Sequence, residues 1–314
     1  MTKVLVSGIQ PSGRPHIGNY FGAMKQWVDM QDSHTSRFFV VDYHAMTTIQ
    51  NGAELRENTR GVILDLLAIG LDPEKAIIFK QSDIPEVTEL AWIFECLVTV
   101  PFLMQAHSYK DKVAKGLEAN AGLFNYPMLM AADILIQDAE VVPVGSDQRQ
   151  HVEYAREAAA KFNRAYGETF KEPQELILKD VGVVPGTDGQ KMSKSYNNTI
   201  PLFATDGEIE DAVLSIVTDS NAGVPQNVYA IHALIKPKAE LDKLYEEKKG
   251  KYKDLKDALI EDLRAFIRPM RERRDTLAQD PELVKQILES GARKVRPIIE
   301  EKMRMVRERV GLSS

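Results

Sequence analysis

One cysteine in 314 residues, Cys96, leaves no partner for an internal disulfide and no thiolate set for a zinc or iron–sulfur site. Redox and structural-metal roles are therefore disfavoured, and Cys96 reads as a small core residue. The six histidines do not gather at metal-ligand spacings, and a whole helix and strand separate His16 from His44, so no protein-bound metal is expected. Long apolar runs are also missing. The longest uncharged stretch, residues 220–235, is 16 residues and carries Gly, Pro, Asn and Gln, short of the roughly 18 to 20 apolar residues a membrane helix needs. The start of the chain offers only Val4 to Val6 before Ser7 and Gly8, too short for a signal peptide, so a cytoplasmic protein without membrane partners is expected. A positive surplus is absent as well: 40 basic against 46 acidic residues give a net charge of −6, which argues against a whole-surface polyanion binder. The distribution is uneven, however. From residue 264 onward there are 13 basic and 8 acidic residues, a local +5 that could face nucleic acid.

What is present is 44% apolar and 27% charged sequence, enough for a large core and, at this length, for two domains. The first half alternates β-branched runs with helical periods. Residues 3–7, 37–42, 76–79 and 139–144 read as strands, and 17–30, 54–67 and 151–162 as helices. Residues 84–137 are mostly helical and interrupt the alternation. After about residue 200 strand signals vanish and amphipathic segments follow at 207–217, 239–248, 253–278 and 281–310. The fold class expected is α/β: a doubly wound, Rossmann-like parallel sheet with a helical insertion, followed by an all-helical C-terminal domain. The boundaries are 1–195, with the insertion near 84–137, and 196–314, whose last helix packs back on the first domain.

Two polar clusters carry chemistry. After strand 1 comes GIQPSGRPHIGNY, residues 8–20, a glycine-punctuated loop ending in Gly18 and Asn19 at a helix start, where backbone N–H groups and the helix dipole favour an anion. It lacks the Gly-Lys-Ser/Thr ending of a P-loop and the spacing of the dinucleotide fingerprint. The second cluster is DGQKMSKS, residues 188–195. Lys191 and Lys194 there can set positive charge on a polyphosphate as charge builds at its α-phosphorus. In residues 125–135, Tyr126, Met130 and Asp133 fall at i, i+4 and i+7, on one face of a helix. Asp133, set among Met130, Ala131, Ala132, Ile134 and Leu135, reads as a buried carboxylate that needs a donor.

The order HIGN then KMSKS resembles the paired signatures of class I aminoacyl-tRNA synthetases. GIQPSG, VDYHAMT at 41–47, NYPMLMAADIL at 125–135 and VPVG-x-DQ at 142–148 make the chain similar to the tryptophanyl-tRNA synthetase family over nearly its whole length. The resemblance implies ATP with Mg²⁺, L-tryptophan and tRNA(Trp) as partners, and a homodimer formed through the insertion. It implies that Lys191, Lys194, His16 and Gln10 serve catalysis. ATP would be held by Gln10, Pro11, Ser12, Gly18 and Asn19, by Gly145, Ser146 and Asp147 around the ribose, by Val184 near the adenine, and by Lys191, Met192, Ser193, Lys194 and Ser195 at the phosphates. Tryptophan would meet Asp133 at its indole N–H, with Tyr126, Met130, Gln148 and His44. Lys110, Lys112 and Lys115 lie in a segment the family uses near the triphosphate. Ser146 stands where a glutamate is usual and gives GSDQ, a form frequent in tyrosyl-tRNA synthetases, which remain an alternative beside a nucleotidyltransferase acting on a small metabolite.

Overall fold

The computed structural model describes residues 2–114, 116, 118–145, 149–177, 183–218 and 224–313, the side chains of Ser108 and Lys112 excepted. Among these residues the order is β1 (Val4–Ile9), α1 (Ile17–Asn19), a π-helical turn (Tyr20–Met24), α2 (Lys25–Met30), β2 (Thr35–Val40), α3 (Asp42–Ala45), α4 (Gly52–Ala68) and β3 (Ile77–Lys80). The insertion follows as α5 (Glu86–Glu95), α6 (Val100–Leu103), α7 (His107–Ala114) and α8 (Ala121–Leu135). Then come β4 (Val141–Val144), α9 (Arg149–Tyr166), β5 (Gln174–Ile177) and the helices α10 (Asp206–Leu214), α11 (Gln226–His232), α12 (Lys238–Glu247), α13 (Tyr252–Ala278) and α14 (Leu283–Val310).

The strands form one parallel sheet in the order β3-β2-β1-β4-β5. Adjacent residues alternate between two apolar layers: Leu5, Phe38 and Ile78 face one, and Val6, Phe39 and Phe79 the other. Burial on both faces is why Val4–Val6, Phe38–Val40, Ile77–Phe79 and Val141–Val144 read as short apolar runs. The first layer continues without a break from Ile17, Met24 and Val62 into Ile200, Leu202, Ile209, Leu255, Leu263 and Ile267, so residues on both sides of position 195 share one core.

Three sequence expectations are corrected. The helix expected over 17–30 is interrupted by the π-helical turn, a widening common at functional sites. Strand β5 and helix α11 were not foreseen; β5 is an edge strand whose residues are exposed or only half-buried. Cys96 is exposed, because it lies one turn beyond Trp92 on the outward face of α5.

Helix α14 runs along β3, at one edge of the sheet. A side chain on Gly291 would fall inside van der Waals contact of the Ile78 carbonyl, and Arg296 Nη2 donates to the Asp83 carbonyl at 2.6 Å. Val295, Ile299, Met303 and Val306 of α14 join the second core layer, and the buried Lys302 pairs with Asp138 at 2.7 Å. Gly311 closes the helix with φ +79°. The Gly291→Val variant is expected to lose about 3 kcal/mol of stability, measurable as a lower urea midpoint; an unchanged midpoint would show that α14 can lift from β3 without penalty.

Candidate active site

In an open parallel sheet the crevice lies where the strand order reverses, outside the carboxyl ends of the strands. Here that point lies between β1, the central strand, and its neighbour β4, from which the chain winds outward in opposite directions. Two cavities meet there. One, of about 620 Å³, is lined by the loop after β1, by the start of α1 and by the 191–194 segment. The other, of about 340 Å³, lies between the ends of β1, β2 and β4 and the face of α8. Gln10, Ala23, Trp27 and Gly145 line both.

The larger cleft brings together Gln10, Ser12, His16, Gly18, Asn19, Gly145, Lys191, Ser193 and Lys194. Its two loops touch directly: Lys194 Nζ donates to the carbonyls of Ser12 (2.8 Å) and Gly13 (3.2 Å). The 184–198 segment is folded into a short antiparallel turn by the bridge between Pro185 and Lys191 and by the Met192 N–H on the Val184 carbonyl. Asn198, 2% exposed, holds the turn closed: Oδ1 accepts the Ser193 N–H, and Nδ2 donates to Asp188 Oδ1 and the Lys191 carbonyl. Gly18 permits the approach, since a Cβ there would stand 2.8 Å from His16 Nδ1 and 3.5 Å from Met192 Cβ. Pro11, Val184 and Met192 are buried behind the loops and Ser195 is exposed; none of the four lines the cleft.

The electrostatics of this cleft form a chain. Burial, and secondly the Lys194 charge, push the His16 pKa down to about 4, so the imidazole is neutral at physiological pH. Lys194 itself is lowered by burial, against the opposing pull of Asp65. Asp65, 3% exposed on α4, is raised by burial and held against that by Arg274, whose Nε donates to Oδ1 at 2.5 Å. Sequence reading missed Asp65, although a lone carboxylate in the apolar run Ile63-Leu64-Asp65-Leu66-Leu67 was a visible signal. Asn198 and Arg274 gave none.

The smaller cavity is a slot whose walls are Gly8, Phe39, Val41, Val142 and Val144 and whose inner face carries His44, Tyr126, Met130 and Asp133. The i, i+4, i+7 spacing thus places three α8 side chains on one cavity. Asn120 caps α8 by accepting the Leu123 N–H at 2.8 Å and donates to the Thr47 carbonyl, fixing α8 against the turn that carries His44. Asp133 is 2% exposed; His44 Nε2 lies 3.0 Å from Oδ2, and Gln81 Nε2 is 2.9 Å from each oxygen. Burial raises the Asp133 pKa, while His44 and Gln81 oppose the shift. Gln81 was not singled out from sequence. Ser146, Asp147 and Gln148 lie outside the described residues, as do Lys115 and the Lys112 side chain; Lys110 is exposed on α7 and lines neither cavity.

Besides Lys302, six of the thirteen basic residues from position 264 onward pair with acidic residues outside that segment. Arg264, Arg268, Arg271 and Arg274 of α13 pair with Glu210, Asp206, Asp206 and Asp65. On α14, Arg296 and Arg307 pair with Glu86 and Glu89. These pairs tie part of the basic surplus to acidic residues elsewhere in the chain, while Arg268 and Arg296 keep 49% and 42% of their side chains exposed.

A family model described as tRNA synthetases class I (W and Y) matches residues 2–281. A tryptophan–tRNA ligase of Fusobacterium nucleatum is 49% identical over 98% of this chain and 97% of its own, and one of Rhodopirellula baltica 45% identical over 98% and 99%. A Campylobacter jejuni tryptophanyl-tRNA synthetase, solved with ADP and tryptophan, superposes with a TM-score of 0.91 at 44% identity, covering 99% of this chain and all of that one. With near-complete coverage at these identities, and with both signature loops facing one cleft, the chain belongs to the tryptophanyl-tRNA synthetases, a family of class I aminoacyl-tRNA synthetases.

Proposed function

We propose that the two adjoining cavities carry out one reaction between them, ATP in the larger cleft and the amino acid in the slot. The chain is a tryptophan–tRNA ligase: it activates L-tryptophan with ATP and charges tRNA(Trp). In this reading the tryptophan carboxylate attacks the α-phosphorus in line, pyrophosphate leaves, and tryptophanyl-adenylate remains. A terminal ribose hydroxyl of the tRNA then attacks the carbonyl and AMP departs. No side chain becomes covalently attached, so the protein contributes position and charge.

Lys191 and Lys194 take the charge developing on the phosphates, with Ser193 and Ser195 on the same turn. Gln10, at the junction of the cavities, faces the reacting carboxylate, and neutral His16 offers a hydrogen bond without adding a cation. Ser12, Gly18, Asn19 and Gly145 form the remaining wall for ATP, and Pro11, Val184 and Met192 back it. Asp147 and Ser146 are assigned to the ribose and Gln148 to the α-amino group. Asp133 accepts the indole N–H, Met130 packs on the ring, and Tyr126 and His44 complete the slot.

Mg²⁺ would accompany the triphosphate and supply positive charge to its oxygens. Among the described residues no group of three His, Cys, Asp or Glu side chains could hold a metal ion, and Asp65 in the cleft is engaged by Arg274, so no step is assigned to the ion. Residues 1–195 are read as the catalytic unit and 196–314 as the part that meets the anticodon region. A homodimer through the insertion is supported by its exposed apolar side chains, Trp92, Val100, Met104 and Val113. A cytoplasmic setting accords with the free thiol of Cys96.

The observation that carries this reading is the contact of the Lys194 loop with the strand-1 loop directly beside a slot floored by a buried carboxylate. ATP–pyrophosphate exchange tests it. Exchange is expected with L-tryptophan and tRNA(Trp) is expected to be charged; exchange with tyrosine alone would reassign the slot, and exchange with no amino acid would overturn the reading.

A further inference from the structure

Strand β3 ends at Lys80, and the next residue, Gln81, turns in beneath α3. Its side chain is 1% exposed and does not line the slot. Oε1 accepts the backbone N–H groups of Tyr43 (3.0 Å) and His44 (3.4 Å), at the start of α3. Nε2 donates to both oxygens of Asp133, each at 2.9 Å. This orientation is the one the surroundings allow: a flipped amide would aim its NH₂ at two N–H groups and its carbonyl at a carboxylate.

We propose that Gln81 is a positioning residue that sets selectivity for a ring N–H, by holding the Asp133 carboxylate as an acceptor aimed at the slot. The inference rests on the reading of Asp133 as the partner of the indole nitrogen. A carboxylate sealed from water drifts toward its protonated form, and protonation of Asp133 would turn one of its two acceptor oxygens into an O–H donor and weaken the other as an acceptor for the indole N–H. Two features counter that drift: His44 on one oxygen and the Gln81 amide across both. The carboxylate is held by Gln81, which lies outside the slot, and by His44, which lines it, while Asp133 itself lines the cavity. Because Gln81 also holds α3, which carries His44, one amide sets both the acceptor and its neighbour.

Two substitutions separate these duties. Gln81→Glu keeps an oxygen for the Tyr43 and His44 N–H groups but removes the NH₂ donors; Gln81→Met removes both functions at similar volume. The readout is pyrophosphate exchange with L-tryptophan against L-3-(3-benzothienyl)alanine, in which sulfur replaces the ring N–H. Gln81→Met is expected to raise KM for tryptophan about tenfold or more and to lower the tryptophan-to-isostere ratio of kcat/KM by about tenfold. kcat is expected to stay within about threefold, with KM for ATP unchanged, because the nucleotide cleft does not contain Gln81. If Gln81→Met keeps the parent ratio, the amide does not set selectivity and the proposal fails, whatever Gln81→Glu does, because a carboxyl at position 81 can share a proton with Asp133 and so replace the donor. Asp133→Ala, which leaves no acceptor at that position, separates the failures when measured alongside: if it too retains the ratio, the assignment of Asp133 falls; if it alone loses the ratio, only the role of Gln81 falls.

Discussion

Replacing Lys194 by alanine is expected to slow tryptophan-dependent ATP–pyrophosphate exchange by about 10²- to 10³-fold, roughly 3 to 4 kcal/mol of transition-state stabilisation. KM for tryptophan should change little, since Lys194 lines the nucleotide cleft and not the slot. The ammonium is held by two carbonyls of the strand-1 loop, Ser12 and Gly13, in the wall where the phosphates are proposed to lie. Carbonyls are weaker partners for a cation than phosphate oxygens, so the ammonium is expected to transfer to the incoming triphosphate and gain most where charge peaks. Lys194→Arg should recover only part of the loss. A planar fork cannot occupy the place of a compact ammonium between two adjacent carbonyls. An Ala variant with parent kcat would remove Lys194 from the chemistry.

The second large effect belongs to Asp133. Asp133→Ala is expected to lower kcat/KM for tryptophan by about 10²-fold or more, because a slot built around a buried hydrogen bond rejects a ligand left without it. The same change leaves Gln81 Nε2 and the His44 ring without their shared acceptor, so a stability loss of about 1 to 3 kcal/mol should accompany it. The two consequences can be separated by comparing tryptophan with its N–H-free isostere. The variant should treat them alike, whereas a purely structural defect would lower both and keep their ratio. Retained discrimination would show that Asp133 does not meet the indole nitrogen.

The sequence made much of this arrangement legible, for identifiable reasons. Strands buried on both faces write continuous apolar runs, which is why β1 to β4 could be located. The i, i+4, i+7 placement of Tyr126, Met130 and Asp133 follows from helical period alone, and the slot contains all three. Gln81 left no trace, because a glutamine just after a strand carries no periodicity and owes its part to Asp133, 52 positions away. The nucleotide cleft was legible as two loops, but not the buried Asp65–Arg274 pair behind them, 209 positions apart in the chain. Counting charge said least about partners: of the thirteen basic residues from position 264 onward, the folded chain meets six with Asp206, Glu210, Asp65, Glu86 and Glu89. Net charge along a segment cannot reveal which partners tertiary structure will supply.

The seat of α14 against β3 also bears on biogenesis. Ile77–Lys80 leaves the ribosome long before Leu283–Val310 does, so through most of synthesis the outer rim of the sheet is bare, offering unpaired backbone groups to any extended segment nearby. Chains stopped short of Gly291 should clump during translation even though both cavities are already encoded. The last helix therefore acts as a guard arriving late, and holdase chaperones should matter most in the interval before it emerges.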